Sequence, residues 1–344
     1  MLNYIESLTF DDLMLIPKYS TVRSRSEVDL SITLCKGFKF NSAVVPSNMK
    51  TITELAMANL MYKYKSLAVL HRFIDFDNQL KWIDEIKTWG DDALNFIGIS
   101  IGVKDEDKDK IKQFIKAGVK IICIDIAHGD SEHCLQMTKW IATTYPKVLL
   151  ISGNAAMGDG ASRIWEAGAD ICKVGVGQGS ICLTRINTGN GVPAITTLSD
   201  CYDAKKYTEA KLGRKLFIMN DGGTKSPGDI VKALCFADLC MAGNLFASSS
   251  ETPGDVIKEV DGNLYKSYVG SSTHRGTYSE GVEAVVRYKG ETAQIVQNIA
   301  EGIRSGLSYQ GVYNLEDLKK NPRFVKITMA GLKESHAHDV QVIK

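Results

Sequence analysis

The sequence predicts an α/β fold, a (β/α)8 TIM barrel forming one domain over residues 1–344. Three observations carry this. Short runs of aliphatic and β-branched residues recur eight times, amphipathic helical stretches separate them, and most runs end in glycine or small polar residues. The runs are 42–49, 67–72, 96–102, 120–129, 147–155, 171–177, 216–223 and 238–244. Each is continuously apolar and not alternating, so both faces should be buried, as in a parallel sheet. Stretches such as DKDKIKQFIKAG and ASRIWEAGAD read as the helices between them. KAGVKIICID and EAGADICKVG repeat one pattern: a helix ends, a glycine caps it, and a strand begins. An open doubly wound sheet is the competing architecture. It usually carries fewer strands and an early GxGxxG turn, which the first half of the chain lacks.

The 344 residues are 44% hydrophobic, enough for one large core or for two smaller ones. Lys and Arg number 41 against 40 Asp and Glu, which points away from nucleic-acid polymers and anionic membranes as partners. The opening MLNYIESLTFDD is acidic and lacks the apolar core of a signal peptide. No apolar run approaches the roughly 20 residues that span a bilayer. Eight scattered cysteines without a CxxC pair fit a reducing cytoplasm better than a disulfide scaffold. Cys123, Cys172 and Cys240 sit inside apolar runs and read as inert core residues.

Barrel active sites gather at the C-terminal ends of the strands. There KVGVGQGSICLTR (173–185) ends strand six and opens a long loop, 178–200. A thiol on such a loop can be approached closely, and backbone amides can stabilise its thiolate. Cys182 is thus a candidate nucleophile, with filling of the loop as the plainer alternative. Thr184, two residues on, would face the same side and relay a proton, or bond within the loop. NDGGTKSPGD and MAGNLFAS follow strands seven and eight. Gly222, Gly223 and Gly243, with Ser180, are candidates for backbone contact with a phosphate. Asp221 either holds a ribose diol or caps its own turn. His71 and His128 at strand ends read as hydrogen-bonded structural groups before bases. The tail ESHAHD is poor evidence for zinc.

GVGQGSICLTR resembles the cysteine loop of the IMP dehydrogenase and GMP reductase family. LTFDDLMLIPKYS resembles its N-terminus and NDGG…PGDIVKAL its phosphate loop, and EGVEAVVRYKG and IRSGLSYQG extend the likeness toward the C-terminus. The resemblance implies a (β/α)8 barrel, usually a tetramer, that binds a purine nucleoside monophosphate (GMP or IMP) and a nicotinamide cofactor. It makes Cys182 the nucleophile that adds to purine C2. It assigns Ser180, Gly222, Gly223, Gly243 and Tyr268 to the phosphate, with Asn244 beside them, and Asp221 to the ribose. Asp125, His128 and Asn154 fall on the dinucleotide side. Gly177, Gly179 and Cys182 match positions that ligate potassium through carbonyls in some members, and Glu334 matches a tail that can add a ligand, from a neighbouring subunit. Gln178 and Asn244 depart from the residues common at their positions.

Within the family, IMP dehydrogenases carry a long flap with an Arg-Tyr pair that activates water, and usually an inserted pair of CBS modules after strand two. GMP reductases lack both. Here HRFIDFDNQLKWIDEI runs straight to FIGISIGVKDED, leaving no room for CBS modules, and the flap, 265–290, is short. Arg275 and Tyr278 are not adjacent. RSRSEVDL, LHRF and SIGVKDED resemble GMP reductases, whereas GVPAITTLSDC and FVKITMAGLKESHAHDV resemble IMP dehydrogenases. Glu280 matches the glutamate that handles the amine's proton with Thr184 in reductases. The resemblance therefore implies an NADPH-dependent GMP reductase. An NAD-dependent IMP dehydrogenase without CBS modules and a catalytically impaired nucleotide-binding paralogue are the alternatives.

Overall fold

The computed structural model describes residues 4–260, 262–270, 281–338 and 340. Its centre is a sheet of eight parallel strands, as the apolar runs predict: β1 (Val44–Pro46), β2 (Ala68–Leu70), β3 (Ile97–Ile101), β4 (Ile121–Asp125), β5 (Leu149–Ala155), β6 (Ile171–Val174), β7 (Phe217–Asp221) and β8 (Leu239–Ala242). Each lies inside the run that predicted it. The hydrogen-bonded order is β1-β8-β7-β6-β5-β4-β3-β2, and β1 and β2 lie side by side to close the barrel. All residues of β3 and β5 are buried, so one side of each strand fills the barrel and the other receives helices.

Eight helices alternate with the strands: α1 (Leu55–Lys63), α2 (Phe76–Lys87), α3 (Asp105–Lys116), α4 (Glu132–Thr144), α5 (Gly158–Glu166), α6 (Ala194–Leu212), α7 (Pro227–Leu234) and α8 (Thr292–Tyr309). Local chemistry marks their ends. Asp75 caps α2 by accepting the Asn78 amide at 2.9 Å, and Ser226 caps α7 with Pro227 in its first turn.

Three features were not legible in the apolar pattern. A short hairpin, Ile32–Thr33 with Lys39–Phe40, packs against the N-terminal end of the barrel, where Phe40 is buried edge-on to Phe96. Leu13–Leu15 pairs antiparallel with Phe324–Lys326, tying the two ends of the chain together. The flap segment is an antiparallel ribbon of Ile257–Lys258, Leu264–Val269 and Glu283–Arg287. The cysteine loop is also more ordered than expected. It contains a helical turn, Thr184–Thr188, and α6 begins at Ala194, inside the predicted loop.

Candidate active site

Where the strand ends converge, a cavity of about 620 Å³ opens, within the usual range for a small-molecule site. The loops after β1, β2, β4, β6, β7 and β8 line it, together with the ribbon.

Cys182 is half-buried on its wall, and its thiol donates to the Thr184 hydroxyl at 3.1 Å. Thr184 is not on an extended loop as expected; it opens the helical turn, which still sets the two side chains together. The Cys182 amide donates to the Gly179 carbonyl at 3.1 Å, closing a tight turn beneath the sulfur. Gly281 pairs with Cys182 in an antiparallel bridge, and the Val282 amide donates to the Ile181 carbonyl at 3.1 Å. The ribbon therefore comes down directly beside the thiol. Glu280, like Arg275 and Tyr278, lies outside the described residues; its chain neighbour is the bridging Gly281.

Gly222 and Gly223 follow β7 with φ of +85° and +82°, a left-handed pair that side chains disfavour. A Cβ on Gly222 would stand 3.4 Å from the Gly179 backbone, so the β7 turn and the cysteine loop touch through bare backbone. The Gly222 amide itself donates to the Met241 carbonyl, so its part in the site is conformational. Gly243 lies under the ribbon: a Cβ there would come within 2.6 Å of the Tyr268 hydroxyl. Ser180, Gly223, Gly243, Asn244 and Tyr268 all line the cavity. Tyr268 is buried, and burial followed by the nearby Asp221 carboxylate raises its phenol above the ordinary range.

Deeper strand-end residues of the same cavity form a polar network. Asp125 ends β4, Asp221 ends β7, and Lys173 lies between them on β6 with 2% exposure. The Lys173 ammonium donates to Asp125 Oδ1 and to Asp221 Oδ2, each at 2.7 Å. Asn154, on β5, donates to Asp221 Oδ2 at 2.9 Å and to the Gly175 carbonyl at 2.8 Å. Burial pushes the Asp125 carboxyl up, but the Lys173 ammonium, with Arg72 and the Asn48 side chain, outweighs it and holds the group below its ordinary range. Arg72, after β2, donates to the Asp125 carbonyl at 3.1 Å and extends this network.

Among the sequence-predicted residues, the structure thus gathers Cys182, Thr184, Ser180, Asp221, Gly222, Gly223, Gly243, Asn244, Tyr268, Asp125, Asn154, Gly177 and Gly179 around one cavity. His128 is exposed and outside the lining, with its carbonyl accepting the Ser131 hydroxyl. Glu334, at the end of the exposed helix Met329–Glu334, is also outside it. His71 is fully buried, accepts the Phe73 amide on Nδ1 at 3.1 Å and meets Glu54 through Nε2, a structural role.

Sequence reasoning missed Lys173, Arg72 and Asn48, which all line the cavity. A signal for Lys173 was present: a single charge inside an otherwise buried strand requires partners.

A nicotinamide group fits the polar wall. Asp125, Asn154 and Arg72 line the cavity there and offer acceptors and donors of the kind a carboxamide meets. For potassium, one chain supplies an incomplete set. Gly177, Gly179 and Cys182 offer carbonyls from a single turn, and that of Gly179 already accepts the Cys182 amide. Among the described residues no group of three His, Cys, Asp or Glu side chains could hold a metal ion. No described helix is long and apolar enough to cross a membrane.

A parallel barrel that gathers a thiol, a glycine-built recess and a charged polar wall on its loop face has the architecture of a barrel enzyme. The family described as "IMP dehydrogenase / GMP reductase domain" matches residues 7–338. The chain is 35% identical to an inosine-5'-monophosphate dehydrogenase of Borreliella burgdorferi, over 97% of each chain. It is 33% identical to the GMP reductase of Onchocerca volvulus, over 93% of this chain and 91% of the relative. It is also 33% identical to human GMP reductase 2, over 93% and 94%. The chain belongs to the IMP dehydrogenase / GMP reductase family, whose members are oxidoreductases acting on purine nucleotides with a nicotinamide cofactor.

Proposed function

We propose that the protein is a GMP reductase, converting GMP and NADPH to IMP, ammonia and NADP. The observation that carries this reading is the ribbon's register. Tyr265 pairs with Arg287 and Val269 with Glu283, so the chain leaves and returns at adjacent points with only residues 270–282 between. That span holds no adjacent Arg-Tyr pair to activate water.

In this mechanism the glycine turns after β7 and β8, with Ser180, Asn244 and Tyr268, hold the phosphate, and Asp221 takes the ribose. That places purine C2 against Cys182. The thiol gives up its proton toward Thr184 and the sulfur bonds to C2. The 2-amino group, protonated through Thr184 and Glu280, leaves as ammonia, and purine C2 stays bonded to sulfur. The nicotinamide cofactor, when bound, supplies the hydride that C2 gains. Asp125 and Asn154 orient that partner, and Cys182 departs as thiolate when its bond to C2 breaks. Without a positioned general base for water, hydrolysis of the sulfur-bound purine is about 10²- to 10⁴-fold disfavoured. The same reading makes the protein a cytoplasmic homotetramer, a single barrel without CBS modules, and no step calls on a metal ion.

The 35% identity to a dehydrogenase favours IMP oxidation as the second reading. Absorbance at 340 nm separates the two. It falls with GMP and NADPH if the reductase reading holds, and rises with IMP and NAD, forming XMP, if the dehydrogenase reading holds. Silence in both mixtures, with nucleotide still shielding Cys182 from alkylation, indicates an impaired binding protein.

A further inference from the structure

We propose that Lys173 is a positioning residue whose single ammonium, shared between Asp125 and Asp221, holds the dinucleotide side and the nucleotide side of the pocket in register. The proposal rests on the assignment of those two sides made above. Its basis is geometric. Lys173 comes from β6, between the strands that end in Asp125 and Asp221, and its side chain is 3% exposed. An ammonium has three donors, and two are spent on carboxylates 2.7 Å away. The charge is strongly held: burial pushes Lys173 down, but the two aspartates outweigh it and raise it above its ordinary value.

The other charged or titratable groups facing the cluster are few. Arg72 acts on Asp125, Cys123 on Lys173, and Tyr268 and Cys240 face Asp221. None can replace the bridge, because none donates to both carboxylates. With the ammonium removed, two carboxylates that each lay 2.7 Å from it are left close together without their shared counter-charge, which disfavours ionising both. One takes a proton, and the ribose contact or the dinucleotide contact is lost with it.

The test compares wild type, Lys173→Met and the double variant Lys173→Met/Asp125→Asn. Three measurements are made from pH 6 to 8: thermal unfolding without ligand, and GMP and NADPH affinity by calorimetry. In K173M the folded-state pKa of one carboxyl lies above its unfolded value, so its proton stabilises the fold. The melting deficit against wild type should therefore shrink as pH falls. GMP affinity should move the other way where Asp221 takes the proton, dropping relative to wild type by about tenfold per pH unit below the raised pKa, and where Asp125 takes it the same drop should appear in NADPH affinity instead. The double variant has one carboxylate and no like charge beside it, so both pH dependences should flatten. A K173M deficit that is constant with pH, or a double variant no flatter than K173M, overturns the proposal. Should K173M fail to fold at pH 8, it should fold at pH 6 and the double variant at both; failure of both variants at both values also overturns it. A wild type that binds no GMP sinks the reductase reading instead, and the ligand-free melting profiles still judge Lys173.

Discussion

Cys235 and Cys240 lie in surroundings whose desolvation pushes their thiols up to about 12. Cys35, half-buried, is raised to about 12 by burial and by the Asp170 carboxylate. At neutral pH these sulfurs are protonated, and thiols react as thiolates. Cys182 differs in placement: it faces the cavity, beside the Thr184 hydroxyl. Brief iodoacetamide treatment of the native protein should therefore label Cys182 first, and GMP should protect it, as read by peptide mass spectrometry. Labelling of a barrel cysteine at an equal rate would count against the assignment. Cys182→Ala should retain GMP binding and lose turnover. Thr184→Val should keep GMP affinity and lower kcat by about 10²- to 10⁴-fold, the usual worth of a positioned proton carrier. Cys182 was legible because glycines surround it at a strand end. Lys173 was passed over because apolar periodicity counts a lone lysine as noise, although burial makes it the most constrained charge on the wall.

At the level of elements, the barrel strands were readable because a parallel strand buried on both faces has no polar interruption to hide it. The ribbon was not. Its inward residues on Leu264–Val269 are Lys266 and Tyr268, so the buried face carries a charge and the alternation is masked. The Lys266 ammonium is occupied by the carbonyls of Ser249, Ser250 and Thr252, which pin the turn after β8 under the ribbon. The same turn begins at Gly243, where the Tyr268 hydroxyl fills the space of a side chain. Tyr268 is 3% exposed and has little room to retreat. Gly243→Ala should therefore cost about 1–3 kcal/mol in urea unfolding, the usual penalty of overpacking. Removing the clashing oxygen in Gly243→Ala/Tyr268→Phe should recover most of that stability. If the double variant is no more stable than G243A, the contact between β8 and the ribbon is not what makes glycine necessary there. The helical turn Thr184–Thr188 and the two-residue strands of the N-terminal hairpin escaped notice for a simpler reason: they are too short to show any period.

Over the whole molecule, the segments outside the barrel latch its lower end through two equivalent aspartates. Asp170 stands just before β6 and Asp238 just before β8, each after an alanine. Asp170 accepts the Leu150 amide at the start of β5, and Asp238 accepts the Ile218 amide in β7, both at 2.8 Å. Each then takes a lysine from outside the barrel: Lys36 of the N-terminal hairpin pairs with Asp170, and Lys319, beyond α8, pairs with Asp238. Lys205 of α6 adds a second ammonium to Asp238 at 3.1 Å. The recurrence AD-[IL]-C at both places was visible in the sequence, but only the strand order shows that each acid serves a neighbouring strand and a distant segment at once. Burial raises the Asp238 carboxyl, yet Lys319 and Lys205 together outweigh it and hold it below its ordinary value. A folded-state pKa below the unfolded one means that this stabilisation is complete above about pH 4 and is lost as pH falls through the lower, folded value. Asp238→Asn leaves two lysines facing a neutral amide, one of them buried, and should destabilise the barrel by about 3–5 kcal/mol at pH 7. Its melting temperature should also lose part of the wild-type decline below pH 4, because the titrating carboxylate is gone. Equal acid sensitivity in both proteins would show that the latch at Asp238 does not hold the C-terminal segment to the barrel electrostatically.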